Sequence, residues 1–303
     1  MNSTVHRLRP RAPFDFRKTL EFIGGFSPSQ SEQATADAVL VKALRLQGQT
    51  VVFRVRSVGK LEKPGLEVEL LSQATLGKAL QSAALDRISF YLSLGDDLSP
   101  FYALAEEDPP FKRVVEALYG YHQVKFLTPW ENAAWAILTQ RTSTPVARTY
   151  KRRVTERYGA SLETPYGTLW AFPEPADLLS ANLTELGAMT GGFRRNEYLL
   201  SAAQAFSEVD EGWLRTAPYG ELQRWLRKIK GIGEWSAAFV LLRGLGCMER
   251  AILEDPKNPY VIHLLGAANK VYGPISIGGL RGKAAHYGNL QGYWAHYLRA
   301  LDA

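Results

Sequence analysis

Asp255 stands apart among the carboxylates that could do chemistry in the C-terminal part of this sequence. After Gly233 the only carboxylate side chains are Glu234, Glu249, Glu254, Asp255 and Asp302, so a single aspartate lies between that glycine and the last two residues. A carboxylate on a loop can steady developing positive charge and orient or deprotonate a water. The same "EDP" is also an ordinary turn, because Asp-Pro favours one. Twenty residues upstream, Trp235 and Phe239 stand one helical turn apart. They suit either a core or an aromatic face for a cationic ring, where cation–π stacking contributes about 0.5–2 kcal/mol.

The elements that would position these groups meet at "KGIGEW". Leu222, Trp225, Leu226 and Ile229 give one apolar stripe, and Trp235, Ala238, Phe239 and Leu242 give another beyond Gly231-Ile232-Gly233. Glycines 231 and 233 tolerate unusual backbone angles, which a helix–helix packing corner needs. The same corner would aim peptide N–H groups and a helix dipole at an anion, with Arg227, Lys228 and Lys230 around it. Both readings fit the bare pattern.

Upstream, "PWENAAWAILTQRTSTPVARTYKRRVTERYG" reads as two helices. Ala134, Trp135, Ile137 and Leu138 lie in the first; Thr144 caps the second, Pro145 sits in its first turn and Gly159 ends it. Gln140, Arg141 and Thr142 are exposed between them. A helix over 193–206 carries Arg194 and Arg195 in its first turn, the unfavourable end for cations, so they read as phosphate or solvent contacts. Leu290, Trp294, Tyr297, Leu298 and Leu301 predict a closing amphipathic helix.

From about Leu20 to Leu71 the period is two, in "VLVKALRL", "TVVFRVRSV" and "GLEVELL". This predicts a small antiparallel sheet with Val51, Phe53 and Val55 on a buried face and Arg54 and Arg56 on a solvated one. After about Ile88 the period is helical throughout. The fold class is therefore α+β and mainly α: a sheet domain over 1–87 and a helical region over 88–303.

With 303 residues, a net charge of +6 and a pI near 9.3, the chain favours a polyanionic partner. One cysteine, Cys247, excludes a disulfide framework, a thiolate zinc site and a four-cysteine iron–sulfur cluster, and reads as a small buried hydrophobe. His6, His122, His263, His286 and His296 are too far apart for metal-ligand spacing. The N-terminus has no apolar core of the signal-peptide kind, and no stretch reaches membrane-span length. A cytoplasmic protein is expected.

The stretch Leu226 to Ala237 resembles the hairpin of the helix-hairpin-helix (HhH-GPD) DNA glycosylases, DNA-3-methyladenine glycosylase II branch. Leu242-Arg243-Gly244 matches that hairpin's continuation, and "AAWAILTQRTS" and "FYALAEEDPPFKRVVEALYGYH" extend the likeness over about 88–300. Counted without a gap, the family's catalytic aspartate falls on Asp255. The resemblance implies two helical lobes flanking a cleft, behind an N-terminal sheet. It also implies a base-excision enzyme that flips alkylated purines out of double-stranded DNA and hydrolyses them off.

On that reading Trp235 and Phe239 face the base, and Gln140 and Arg141 lie where the family places its wedge. Lys228, Lys230, Gly231, Ile232, Gly233 and Glu234 form the phosphate-binding hairpin. The carbonyls of Arg227, Ile229 and Gly231 would hold a structural Na+ or K+, with no cofactor for catalysis. Trp235 stands where bifunctional relatives carry a lysine, which implies a monofunctional enzyme; a monomer is expected. Pro256, Leu290 and the segment "PKNPYVIHLLGAANKVYG" depart from the family pattern, and Tyr287 and Tyr293 are candidates to compensate for missing pocket aromatics. A glycosylase for oxidised or deaminated bases, and a non-catalytic DNA-damage binder, remain the alternatives.

Overall fold

The computed structural model describes residues 1–26, 28, 32–36 and 38–301. Strands β1 (Asn2–Leu8), β2 (Gln33–Ala36), β3 (Val39–Leu46), β4 (Gln49–Ser57) and β5 (Leu66–Ser72) form an antiparallel sheet in the order β1-β5-β4-β3-β2. β3, β4 and β5 are the three alternating runs expected. β1 adds an edge by pairing with β5, Val5 opposite Glu69. The start of the region read as alternating is instead helix α1 (Phe16–Gly25), capped by Asp15, whose carboxylate accepts from Arg17 N at 3.0 Å. Phe16, Thr19, Leu20 and Ile23 are its buried face, a helical spacing.

The sheet also departs from the one-face expectation. Val51, Phe53 and Val55 are buried beside α1 and α2 (Lys78–Tyr91), as the alternation requires. On the other face Val41, Ala43, Val52 and Leu71 are buried too, under Leu169 and Ala171. Those two belong to a hairpin, β6 (Ala160–Thr164) and β7 (Gly167–Ala171), turned at Gly167 with φ +100°. The helical period after Ile88 is thus interrupted, and only part of the second face, including exposed Arg56, meets solvent. The boundary drawn at 87/88 falls inside α2, whose Ile88 and Tyr91 belong to the sheet's core together with Leu92 and Leu94.

The remaining helices are α3 (Ser99–Glu106), α4 (Pro109–Ala117), α5 (Pro129–Leu138), α6 (Thr144–Tyr158), α7 (Pro175–Leu179), α8 (Leu183–Thr190), α9 (Phe193–Glu208), α10 (Glu211–Thr216), α11 (Tyr219–Lys228), α12 (Glu234–Val240), α13 (Pro259–Tyr272), α14 (Ile277–His286) and α15 (Gln291–Ala300). They build two lobes. One core holds Phe101, Phe111, Tyr121, Leu264, Leu280 and Trp294; the other holds Trp130, Ile137, Val154, Leu199 and Leu226. α12, continued as a π-helical turn over Leu241–Leu245, belongs to both. Its Ala237, Val240 and Leu241 enter the second core, while Ala238 and Leu242 enter the first, with Trp235 and Phe239 packed against it. A helix apolar on both sides has to be sandwiched.

Two expectations at helix ends shift. Ser143, not Thr144, occupies the N-cap of α6, which leaves Pro145 at the second position. α15 is buried along the whole run Gly292 to Leu298 rather than on one stripe, and Leu301 is exposed. Among the described residues no helix is long and apolar enough to cross a membrane.

A buried ionic cluster joins the sheet to the second lobe. Lys151 of α6 lies 2.9 Å from Glu131 of α5 and is paired with Glu32, which lies 3.7 Å from Lys42 of β3. Burial raises the Glu131 carboxyl, but Lys151 and Lys42 outweigh it and hold it below the ordinary glutamate range. Burial lowers Lys151, but Glu131 and Glu32 outweigh that and raise it. Two opposite pairs therefore neutralise one another where no water can.

Candidate active site and nucleic-acid interface

α11 ends at Lys228 because Ile229 leaves the helical region, with ψ +124°, and its N–H caps Leu226 O. Gly231 then adopts φ +91°, open at little cost only to glycine, and a Cβ there would collide with the Tyr198 ring. Gly233 is extended, at φ −83° and ψ −174°, so of the two glycines only Gly231 needs its conformational freedom. The missing side chain of Gly233 keeps the corner open, with nothing within 4 Å of where its Cβ would be.

A depression of about 620 Å³ lies over this corner, lined by Gln140, Tyr198, Trp235, Ser236 and the run 227–234. It gathers Arg227, Lys228, Ile229, Lys230, Gly231, Ile232, Gly233 and Glu234 in one place. Their availability differs. The Ile232 side chain is buried in the second lobe and its N–H donates to Ile229 O at 3.0 Å. Lys230 N–H donates to Ser201 Oγ at 3.2 Å, and its ammonium pairs with Glu197 at 3.0 Å. Lys228 and Arg227 are exposed. The first intrahelical bond of α12 is Ala237 N–H to Gly233 O, so the N–H groups of Glu234, Trp235 and Ser236 form the helix's open N-terminal end. Exposed Glu234 suits that end of the dipole.

Gln140 is tied down: its Nε2 donates to Gly231 O at 2.7 Å, joining the α5–α6 turn to the hairpin. Arg141 stands exposed in the left-handed region, at φ +52°. The reading of Arg195 as a phosphate or solvent contact is corrected. Its guanidinium donates to Gln140 O at 3.0 Å, to Thr142 Oγ1 at 2.7 Å and to Thr190 O, and it lies 5.2 Å over the Tyr150 ring. Arg195 is the clamp of the α5–α6 turn; only Arg194 remains exposed.

Trp235 and Phe239 are half-buried and stacked, ring centroids 5.1 Å apart and planes 9° off parallel. Trp235 Nε1 is buried without a hydrogen-bond partner among the described residues, a costly state for a donor. The stack continues into rings that periodicity alone could not connect: Phe239 to Phe126 at 6.1 Å, and Phe126 to half-buried Phe26 at 5.1 Å. Behind them the buried Arg243 guanidinium lies 5.0 Å over Phe22 and 5.5 Å over Phe26, and burial lowers its pKa to about 10.

The two tyrosines offered as substitutes for pocket aromatics do not serve. Tyr287 is buried and donates to Asp108 at 3.0 Å, and buried Tyr293 donates to Asp96. Leu290 packs on the first lobe's core.

Asp255 is exposed, on the loop between the π-helical turn and α13. Lys257 N–H donates to its Oδ1 at 3.0 Å, and Asn258 N–H to its carbonyl at 3.0 Å, so the turn reading of "EDP" holds as local structure. It is not among the residues lining the hairpin depression. What ties it to that region is the first lobe's core, which buries Ala251, Ile252 and Leu253 and against which Trp235 and Phe239 also pack. Arg281 of α14 also grips the loop, donating to Leu253 O at 3.0 Å and Glu254 O at 3.4 Å. No sequence spacing pointed to Arg281.

Among the described residues no three His, Cys, Asp or Glu side chains gather as metal ligands. The carbonyls of Ile229 and Gly231 each accept one hydrogen bond, from Ile232 N–H and Gln140 Nε2, which leaves each one lone pair. Neutral carbonyl oxygens of this kind suit a hard monovalent cation rather than a transition metal. Cys247 is half-buried, and burial pushes its thiol up to about 12, so it is no nucleophile at neutral pH.

Residues 134–277 match the family model described as HhH-GPD superfamily base excision DNA repair protein. The DNA-3-methyladenine glycosylase of Bacillus subtilis (strain 168) is 29% identical over 157 residues, 51% of this chain and 52% of that protein. The alignment thus spans about half the length of this curated relative. The fold is shared with the 3-methyladenine DNA-glycosylase from Archaeoglobus fulgidus, at TM-score 0.77 and 20% identity over 98% of each chain. It is also shared with the 8-oxoguanine glycosylase/lyase of Clostridium acetobutylicum, at TM-score 0.66 and 17% identity over 99% of this chain and 96% of that one.

Proposed function

We propose that this chain, whose residues 134–277 match the model of the HhH-GPD superfamily of base excision DNA repair proteins, is a monofunctional DNA glycosylase that removes alkylated purines from double-stranded DNA. The observation that carries this reading is the juxtaposition at α12. Its N-terminal turn opens onto the hairpin depression, and Trp235 of that same turn is stacked, half-buried, on Phe239. The corner grips a phosphate through the N–H groups of Glu234, Trp235 and Ser236, with Arg227 and Lys228 adding charge. The carbonyls of Arg227, Ile229 and Gly231 would hold a Na+ or K+, which would add positive charge beside the same phosphate.

A cationic alkylated purine, once extruded, stacks against the Trp235–Phe239 pair. The glycosidic bond breaks with its electron pair leaving on the base. Asp255 steadies the charge left on the sugar and takes up the proton of the water that adds to the anomeric carbon. Trp235 offers no amine for Schiff-base formation, so the product is an abasic site in an intact strand.

The test is base release from duplexes each carrying one lesion, with alkali used afterwards to reveal abasic sites. Asp255→Asn should abolish release from the 3-methyladenine type of lesion while duplex affinity stays within about twofold, since its exposed carboxyl lies off the hairpin surface. Unchanged release by Asp255→Asn would refute the assignment.

A further inference from the structure

The segment that carries Asp255 is anchored at both ends and exposed between them. Ala251, Ile252 and Leu253 are buried in the first lobe's core, and Tyr260 and Val261 of α13 are buried in it again. In between, Glu254, Asp255, Pro256 and Lys257 are all exposed. The hydrogen bonds within this stretch are local. Leu253 N–H donates to Glu254 Oε2, Lys257 N–H to Asp255 Oδ1 and Asn258 N–H to the Asp255 carbonyl, each at 3.0 Å. Such bonds shape a turn, but they do not fix how the turn sits on the rest of the molecule.

Arg281 supplies that link from a different element. It follows Leu280, which is buried in the first lobe's core, in a helix whose N-cap Ser276 accepts from Gly279 N–H at 3.1 Å. From this base its Nη2 reaches the carbonyls of Leu253 at 3.0 Å and Glu254 at 3.4 Å, the two that immediately precede Asp255. Peptide groups are planar, so fixing two successive carbonyls sets the direction in which the next side chain leaves the backbone. Arg281 is itself exposed, and an exposed contact of this kind adds little to the stability of the fold.

We propose that Arg281 is a positioning residue for Asp255: by holding the Leu253 and Glu254 carbonyls it presents the Asp255 carboxylate to the reacting sugar in one orientation. This rests on the reading of Asp255 given above. A carboxylate on an exposed turn samples many directions, whereas steadying charge at one carbon and receiving a proton from one water require a single one. The arginine fork is suited to the task because its planar, always charged head bonds carbonyl oxygens without titrating. Its effect is on the reaction and not on DNA binding, since Arg281 touches the loop from behind and is not among the residues lining the hairpin depression.

The experiment compares the full chain with Arg281→Ala and Arg281→Lys in base release, in affinity for a duplex carrying a tetrahydrofuran abasic-site analogue, and in hydrogen–deuterium exchange. Arg281→Ala should lower kcat by about 10- to 100-fold, the cost of misplacing a reacting group by up to about 1 Å, while KM and duplex affinity stay within about twofold. Arg281→Lys, which keeps a donor on a long stem, should fall between the two. The Lys257 and Asn258 amides, both bonded to Asp255, should exchange faster in Arg281→Ala at an unchanged unfolding midpoint. An unchanged kcat, or affinity that falls as far as kcat does, would overturn the proposal, the second making Arg281 a DNA contact. Exchange separates this proposal from the glycosylase reading. Should wild type release no base from any lesion duplex, that reading fails, and the two amides still decide whether Arg281 holds the turn: faster exchange in Arg281→Ala upholds it, equal exchange overturns it.

Discussion

Lys151 and Lys228 carry the same ammonium into opposite settings. Lys151 is 1% exposed, locked between Glu131 and Glu32 where α5, α6 and the sheet meet. Lys228 is exposed at the last turn of α11, on the rim of the glycine corner. A charge removed from water has to be answered by protein charge, so the first lysine fixes architecture. A charge left in water is weakly coupled to its neighbours and remains open to a polyanion. The net charge of +6 said that cations outnumber anions, but only burial separates those that build from those that bind.

The sharpest test of that contrast is Lys151→Met, which removes the ion pair of Glu131 and leaves Glu32 with Lys42 alone, and should lower unfolding free energy by about 3–5 kcal/mol in denaturant titrations. A loss below about 1 kcal/mol would show that water enters the cluster and would break the comparison.

Next comes pH. The Glu131 carboxyl is held down in the fold, so its contribution is full above the unfolded glutamate value of about 4.3 and is lost as pH falls through the folded one. Lys151 is raised, so its contribution is full below about 10.4 and is lost as pH climbs through its folded value. Urea midpoints should therefore fall off on both sides of a neutral plateau. Lys228→Ala should leave that profile unchanged.

A smaller effect belongs to the corner. Lys228→Ala should move stability by no more than about 0.5 kcal/mol. The slope of log affinity for duplex DNA against log salt should become shallower by about 0.9, because one phosphate is no longer neutralised. An unchanged slope would place the phosphate elsewhere.

Local pattern carried much of this architecture. Strands β3 to β5, the helices around Gln140 and both stripes at the corner were legible, because each depends on periodicity within a dozen residues. β1 escaped because an edge strand with one wet face reads as a charged tail. The β6–β7 hairpin escaped because five-residue strands between helices give little periodicity to detect. The candidate site was legible as residue types around Gly231, not as partners: Arg195 on Gln140 O, Gln140 on Gly231 O and Arg281 behind Asp255 span dozens of residues or more. Cations placed by helix position alone looked solvent-bound, and Arg195 shows how a backbone carbonyl can claim one instead.

The span Glu234 to Leu245, apolar toward both lobes, works as a party wall. Tilting it would compress one tightly packed interior and open a void in the other, so it resists displacement in either direction. Adjustment to visitors of different bulk consequently falls to what hangs from its two ends, the glycine bend before it and the Asp255 segment after it.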